Sequence, residues 1–440
     1  MARPARPRNS ILTFPETTAF LYSLGHELKV VKWDLARMRT LLAELGDPHR
    51  GGRFIHVAGT NGKGSTCAML ESALRVSGLR TGLYTSPHLN SPRERIVIGG
   101  EPISEAEWVA AFADVHGAAE RMLAADRIDA HPSFFETVTA MAFVAFARAR
   151  LEMVVLETGL GGRLDATNVV DPEAAVITPI DFDHEAFLGS SIESIAAEKA
   201  GILKAGRPAV FAAQRPEALR VLENRALDLD IEVRHSSAWR VENAQYGRYG
   251  SSFTLVADEE IPIECPLAGL HQVENARTAL TALTLLGIPA AAIRTGIASA
   301  KWPGRLERFP GASDTILDGA HNPAGARALA DYIRRFFAGE PVRMIFGAMR
   351  DKAVEEVTET LFPLAEEVIL TAPAQPRALH PRSISEMLDD AQRERVHVAE
   401  SIREALQVAA ERNRTRPMTT FVTGSLFLVG EARELLAANQ

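Results

Sequence analysis

Apolar positions along the chain fall into short blocks separated by longer stretches with helical spacing. Residues 17–28 and 34–45 read as helices, the second closed by Gly46-Asp47-Pro48. Residues 53–58 (RFIHVA) predict a strand, 67–77 a helix ending at Gly78, and 81–85 a second strand. Further strands are expected at 153–157, 174–178, 209–212 and 252–256, with helices at 136–149, 191–200 and 275–286. Strands alternating with helices predict a doubly wound α/β domain with a mostly parallel sheet.

Trp302-Pro303-Gly304 interrupts this pattern, and the alternation then restarts. Strands are expected at 315–317, 342–346, 368–370, 396–398 and 419–422, with a helix at 324–337. The chain thus reads as two α/β units, 1–300 and 301–440, as a length of 440 residues suggests.

Composition narrows the function classes. An apolar fraction of 46% and a charged fraction of 24% are those of an ordinary globular protein. Lys+Arg number 48 against Asp+Glu 56, a net charge of −8. That balance argues against nucleic acid and anionic membranes as partners, so an anionic substrate needs a local basic site. Cys67 and Cys265, far apart, provide no disulfide framework and fit a reducing compartment. Residues 1–10 lack the apolar run of a signal peptide, and no stretch approaches the roughly 18 apolar residues that span a bilayer. A cytoplasmic location is expected.

The strongest chemical signal is Gly59-Thr60-Asn61-Gly62-Lys63-Gly64-Ser65-Thr66, between a strand and a helix. Backbone N–H groups of such a turn, ahead of a helix N-terminus, form an anion site for phosphates. Lys63 supplies a point charge, and Ser65 or Thr66 can bond a phosphate or Mg²⁺. The loop is one residue shorter between glycines than the common G-x-x-x-x-G-K-[ST] pattern, and Gly64 separates Lys63 from Ser65. Glu157 closes the apolar strand before Thr158-Gly159-Leu160-Gly161-Gly162. Leu164 stands where a dinucleotide fingerprint needs its third glycine, so that reading fails. A carboxylate at a strand's C-terminal end, facing a triphosphate, is best explained as a Mg²⁺ ligand, because without a metal it would repel the nucleotide. His184, in Asp181-Phe182-Asp183-His184-Glu185, follows another strand end and is a second candidate metal ligand.

Taken singly, these motifs leave a nucleotide hydrolase or a kinase open. VAGTNGKGS, YTSPHL, LETGLGGRLDATN, DHEAFLG, EKAGILK, ENARTA, WPGRLE and LDGAHNP, in this order, resemble the Mur-ligase superfamily, and within it the folylpolyglutamate synthase/dihydrofolate synthase branch. The resemblance runs from about residue 15 to residue 430. It implies a P-loop ATPase domain joined to a C-terminal Rossmann-like glutamate-ligase domain, with the active site in the cleft between them.

By that resemblance Asn61, Gly62, Lys63, Gly64 and Ser65 bind ATP phosphates, while Asn275, Arg305 and Asp318 contact the nucleotide. Ser86, Glu157, His184 and Lys199 hold Mg²⁺, as one or two ions, with Lys199 matching a lysine that members carbamylate. Gly25, His26, Glu27 and Leu28, then Ser133, Phe134, Phe135 and Glu136, then Leu164, Asp165 and Ala166 lie toward the pterin. The rings of Phe134 and Phe135 offer flat apolar faces, and Asp165 is expected to accept from pterin amino groups. His321 and Ser425 match positions on the glutamate side.

The implied reaction is ATP-dependent addition of L-glutamate to reduced folates and to dihydropteroate through an acyl phosphate, by a monomer. A monofunctional folylpolyglutamate synthase is the alternative. A cell-wall Mur ligase would bring an extra N-terminal domain, and about 50 residues before the loop strand are too few for one. A regulatory P-loop module would lack the set Glu157, His184 and Lys199.

Overall fold

A computed structural model describes residues 12–25, 34–350 and 353–438. The larger sheet has eight strands. In spatial order they are Glu101–Pro102, Ile96–Ile98, Thr81–Tyr84, Met153–Glu157, Phe54–Ala58, Ala174–Ile177, Ala209–Phe211 and Val233–His235. Every pairing is parallel except the two made by Ile96–Ile98. Alternate side chains of the central strands feed two apolar layers, as the two-residue period of a strand requires. Ile55, Val57, Met153 and Val155 pack under helices Lys63–Val76, His271–Leu285 and Ala290–Ala298. Phe54, Val154 and Leu156 face the opposite layer, with Glu105–Ala124 and Phe134–Ala149. With both faces covered, Phe54–Ala58 is buried throughout, and it reads as a short apolar run interrupted only by His56.

The second sheet has six strands, in the order Glu307–Phe309, Thr315–Leu317, Thr419–Thr423, Val342–Phe346, Glu367–Leu370 and Val396–Val398. It is parallel but for its first pair. Helices Pro323–Phe336 and Val354–Leu361 cover one face, Ile402–Asn413 and Leu426–Ala437 the other. The protein is therefore α/β, with a large mostly parallel sheet followed by a smaller mixed one.

Three expectations need correction. The strand expected at 252–256 is Gly250–Val256, and it lies outside the large sheet. It pairs antiparallel with Arg240–Gly247 and Glu260–Cys265 in a separate three-stranded sheet. Glu260–Cys265 alternates exposed and buried residues, the mark of a sheet covered on one face. The helix expected at 17–28 spans Phe14–Ser23, because Thr13 and Glu16 form a capping box that starts it earlier. The helix expected at 67–77 begins at Lys63, directly on the Gly-rich loop. Among the described residues the longest helix, Glu105–Ala124, was not anticipated, although Ser104 and Glu107 cap it in the same way.

The sheets face each other across a cleft. Asn90 Nδ2 donates to the Gly430 carbonyl at 2.7 Å, joining the segment after Thr81–Tyr84 to helix Leu426–Ala437. On the far side Tyr249 Oη donates to Asp314 at 2.6 Å.

Candidate active site

Strand order brings the candidate chemistry together. Phe54–Ala58 sits between Met153–Glu157 and Ala174–Ile177, with Val57 opposite Glu157 and Ala58 opposite Ile177. The Gly-rich loop, Glu157 and the segment holding His184 therefore leave the carboxyl ends of three neighbouring strands, where open α/β sheets bind ligands.

The loop's glycines are fixed by what surrounds them. Gly62 has φ +83°, and a Cβ there would stand 2.3 Å from Asn275 Oδ1. A Cβ on Gly64 would meet the Trp302 ring at 2.3 Å. Lys63 Nζ donates to the carbonyls of Gly59 and Thr60, at 3.2 and 3.1 Å. Lys199 Nζ donates to the same Gly59 carbonyl at 2.8 Å. Burial, with Lys63 as a like-charged neighbour, brings the Lys199 amine down to about 7. Glu157 is buried and accepts from the Ser86 N–H at 3.1 Å. Burial raises its pKa, and nearby Lys63 opposes that rise. Ser65 Oγ receives Gln272 Nε2 at 3.2 Å, and Asn275 Nδ2 donates to Gln272 Oε1 at 2.9 Å.

All the residues assigned to the nucleotide and metal line one cavity of about 410 Å³. Asn61, Lys63, Ser65, Glu157, His184 and Lys199 come from the larger sheet's body, and Arg305 and Asp318 from beyond Trp302. Asp318 accepts from the N–H groups of Leu306 and Ala320, both at 3.0 Å. His184 heads a short helix at φ +52°, with Nε2 3.8 Å from Asp183 Oδ2. The hard oxygens of Glu157, Ser65 and Ser86 suit Mg²⁺, and buried Glu157 has cationic neighbours but no direct ion pair among the described residues.

A second cavity of about 650 Å³ runs on from the first, and Ser86, His184 and His321 line both. Gly25, Ser133, Phe134, Phe135, Glu136, Leu164, Asp165, Ala166 and Ser425 all border it. His26, Glu27 and Leu28 lie outside the described residues. His321 Nδ1 donates to the Gly319 carbonyl at 2.8 Å.

Several expected roles are already filled by the protein itself. Asp165 does not offer a vacant carboxylate. One oxygen accepts from the Gly159 and Leu160 N–H groups at 2.9 and 2.8 Å, and the other holds the Thr167 N–H at 3.0 Å. Asp165 thus shapes the glycine turn beside Glu157. Ser133 and Glu136 cap helix Phe134–Ala149, and Glu136 also takes a two-pronged ion pair from Arg37, the shortest contact being 2.8 Å. Tyr22 stacks on Phe134 with centroids 5.5 Å apart, and the Arg95 guanidinium lies 5.0 Å from that ring's centre. Ser425 caps helix Leu426–Ala437 through the Phe427 N–H.

Sequence reasoning missed Asn322, although a polar residue before Pro323 is a helix-cap signature. Its Oδ1 caps helix Pro323–Phe336 through the Gly325 N–H at 2.8 Å. Its Nδ2 reaches Asn61 Oδ1 at 3.3 Å and Asp183 Oδ2 at 3.2 Å. One side chain thereby ties the second unit to the phosphate loop. The cluster in which His88 bonds Tyr22 at 3.1 Å and Arg95 at 2.9 Å was also missed.

A glycine-rich phosphate cradle on a parallel sheet, facing a second α/β unit across a shared cleft, is the architecture of a Mur-type ATP-dependent ligase. Models of the Mur ligase middle domain and of the Mur ligase glutamate ligase domain match residues 57–283 and 304–426. The dihydrofolate synthase/folylpolyglutamate synthase of Bacillus subtilis is 35% identical, over 92% of this chain and 95% of its own length. The Mycobacterium tuberculosis folylpolyglutamate synthase, solved with ADP and AMPPCP, superposes with a TM-score of 0.88 at 36% identity, covering 96% of this chain and 99% of that one. E. coli FolC, solved with DHPP and ADP, gives 0.83 at 30% identity, over 96% and 98%. The chain belongs to the folylpolyglutamate synthase/dihydrofolate synthase family and is an ATP-dependent ligase. Among the described residues no helix is long and apolar enough to cross a membrane.

Proposed function

We propose that this protein joins L-glutamate to the carboxylate of dihydropteroate and of reduced folates, with ATP activating that carboxylate as an acyl phosphate. The observation that supports this reading most directly is the shared wall. A nucleotide-sized cavity and a longer one meet at Ser86, His184 and His321, so a carboxylate entering from one side reaches the γ-phosphate on the other.

The division of labour follows from chemistry. The chain splits near Trp302 into units 1–300 and 301–440, which carry the nucleotide cradle and the glutamate side. Lys63, the loop N–H groups and Arg305 gather positive charge where phosphoryl transfer concentrates negative charge. Mg²⁺ held by Ser65, Ser86, Glu157 and His184 supplies further charge neutralisation when bound. A carboxylate oxygen attacks the γ-phosphorus and ADP leaves. The glutamate amine then attacks the acyl carbon, loses a proton and releases phosphate carrying the former carboxylate oxygen. His321, which lines both cavities, is the residue assigned to accept that proton.

The neutral form of Lys199, accessible because its pKa is about 7, can add CO₂ and lose a proton to solvent to give an anionic carbamate. That conversion would turn a cation beside Lys63 into an oxygen ligand. Bringing the two units together shields the acyl phosphate from water.

Phosphate release measured with dihydropteroate or tetrahydrofolate, each with and without glutamate, tests the reading. Glutamate-dependent release is expected on both acceptors. ATP consumption indifferent to glutamate contradicts the ligase, and turnover on tetrahydrofolate alone reduces the assignment to chain extension.

A further inference from the structure

Away from the cleft, His116, Glu120 and His131 bring one ligand atom each to within 4.8 Å of one another. His116 and Glu120 lie one turn apart on helix Glu105–Ala124, and His131 sits on the segment leading to Ser133. His116 Nδ1 is 3.4 Å from His131 Nε2 and 4.0 Å from Glu120 Oε1. Two ligands of a tetrahedral ion with bonds of 2.0–2.1 Å stand about 3.3 Å apart, so the nitrogen pair already has that spacing.

We propose that these three side chains form a binding site for a borderline-soft divalent transition ion of the Zn²⁺ class, separate from the Mg²⁺ site at the phosphate cradle. Orientation supports it. His131 Nδ1 donates to the Pro132 carbonyl at 3.0 Å, which fixes the tautomer and turns the Nε2 lone pair toward His116. Without an ion, His116 Nδ1 supplies the proton shared by the two rings. With one, that proton moves to His116 Nε2 and the metal takes its place. Two imidazoles and one carboxylate favour Zn²⁺ over Mg²⁺, which prefers oxygen. Both rings are half-buried and exposed Glu120 leaves a fourth position for water.

The site would join three elements. Phe20, on helix Phe14–Ser23, meets the His116 ring edge-on at 4.6 Å and the His131 ring at 5.4 Å. Tyr22 on the same helix and Ser133 just after His131 both border the larger cavity. An ion here braces that wall without touching substrate.

The full chain, titrated with Zn²⁺ against a chromophoric chelator in excess Mg²⁺, gives the test. Wild type is expected to bind one more equivalent of Zn²⁺ than His131→Ala, and Glu120→Gln should weaken that equivalent about tenfold or more. Zn²⁺ should raise the melting temperature of wild type and not that of His131→Ala. Glu120→Gln alters an exposed side chain, and its undiminished turnover with Mg²⁺ alone reports an intact fold. Equal Zn²⁺ uptake by wild type and both variants, or an equal rise in melting temperature, overturns the proposal.

Discussion

The phosphate cradle and the wall of the larger cavity are built on opposite plans. In the cradle, chemistry-bearing groups leave strand ends and meet in open space: Lys63 rests on two loop carbonyls, and Glu157 holds one backbone N–H. In the wall, the side chains that looked available are spent on each other. Glu136 pairs with Arg37, Asp165 holds its own loop, and Phe134 lies against Tyr22. The cradle therefore carries charge that a ligand must complete, whereas the wall carries shape that is complete already. Substitutions in the first should cost rate, and substitutions in the second should cost substrate affinity.

The sharpest break in that comparison is Lys63→Ala, expected to lower glutamate-dependent phosphate release by about 10³-fold while the melting temperature changes little. Glu157→Gln should cost about 10²-fold and raise the Mg²⁺ needed for half-maximal turnover, measured by metal titration. Lys199→Ala should fall by a similar factor, and added short carboxylates should restore part of the rate if a carbamate is its working form. A substitution in the wall should behave otherwise. Phe134→Leu is expected to raise KM for the pteroyl substrate by about tenfold, with KM for ATP unchanged.

The smallest effects concern stability. His56 is buried against Thr167 at 2.8 Å, and burial lowers its pKa to about 3. The unfolded chain binds a proton near pH 6.5 that the folded protein refuses, so stability falls as pH drops from 6.5 toward 3. At pH 5 the loss is about 2 kcal/mol relative to pH 7.5, and His56→Gln should flatten that slope in denaturant titrations. Asn322→Ala should remove a cap worth about 1 kcal/mol and, by loosening the tie to Asn61, lower kcat/KM severalfold.

What the sequence disclosed follows the same divide. Gly59 to Ser65, Glu157 and the segment holding His184 were legible because each leaves or closes a strand, and strand ends can be located from local apolar runs. The antiparallel sheet around Gly250–Val256 was not separable from the parallel strands, since short apolar runs carry no record of their partners. The hold of Asp165 on its own loop was not legible, because its carboxylate answers backbone N–H groups that no side-chain pattern reveals. Contacts such as Tyr22 with His88, or Asn322 with Asn61, join residues far apart in the chain and leave no periodic trace. Helix Glu105–Ala124 was the avoidable miss, for its capping box stands in plain sequence.

The account turns on a carboxylate oxygen being handed to phosphorus inside this cleft. The direct measurement uses a pteroyl substrate labelled with ¹⁸O in the reacting carboxylate, with ATP, Mg²⁺ and glutamate, and mass analysis of the released phosphate. One ¹⁸O atom per phosphate is predicted for each amide formed. Phosphate carrying only solvent or ATP oxygen, with the label retained on the pteroyl carboxylate, would contradict it.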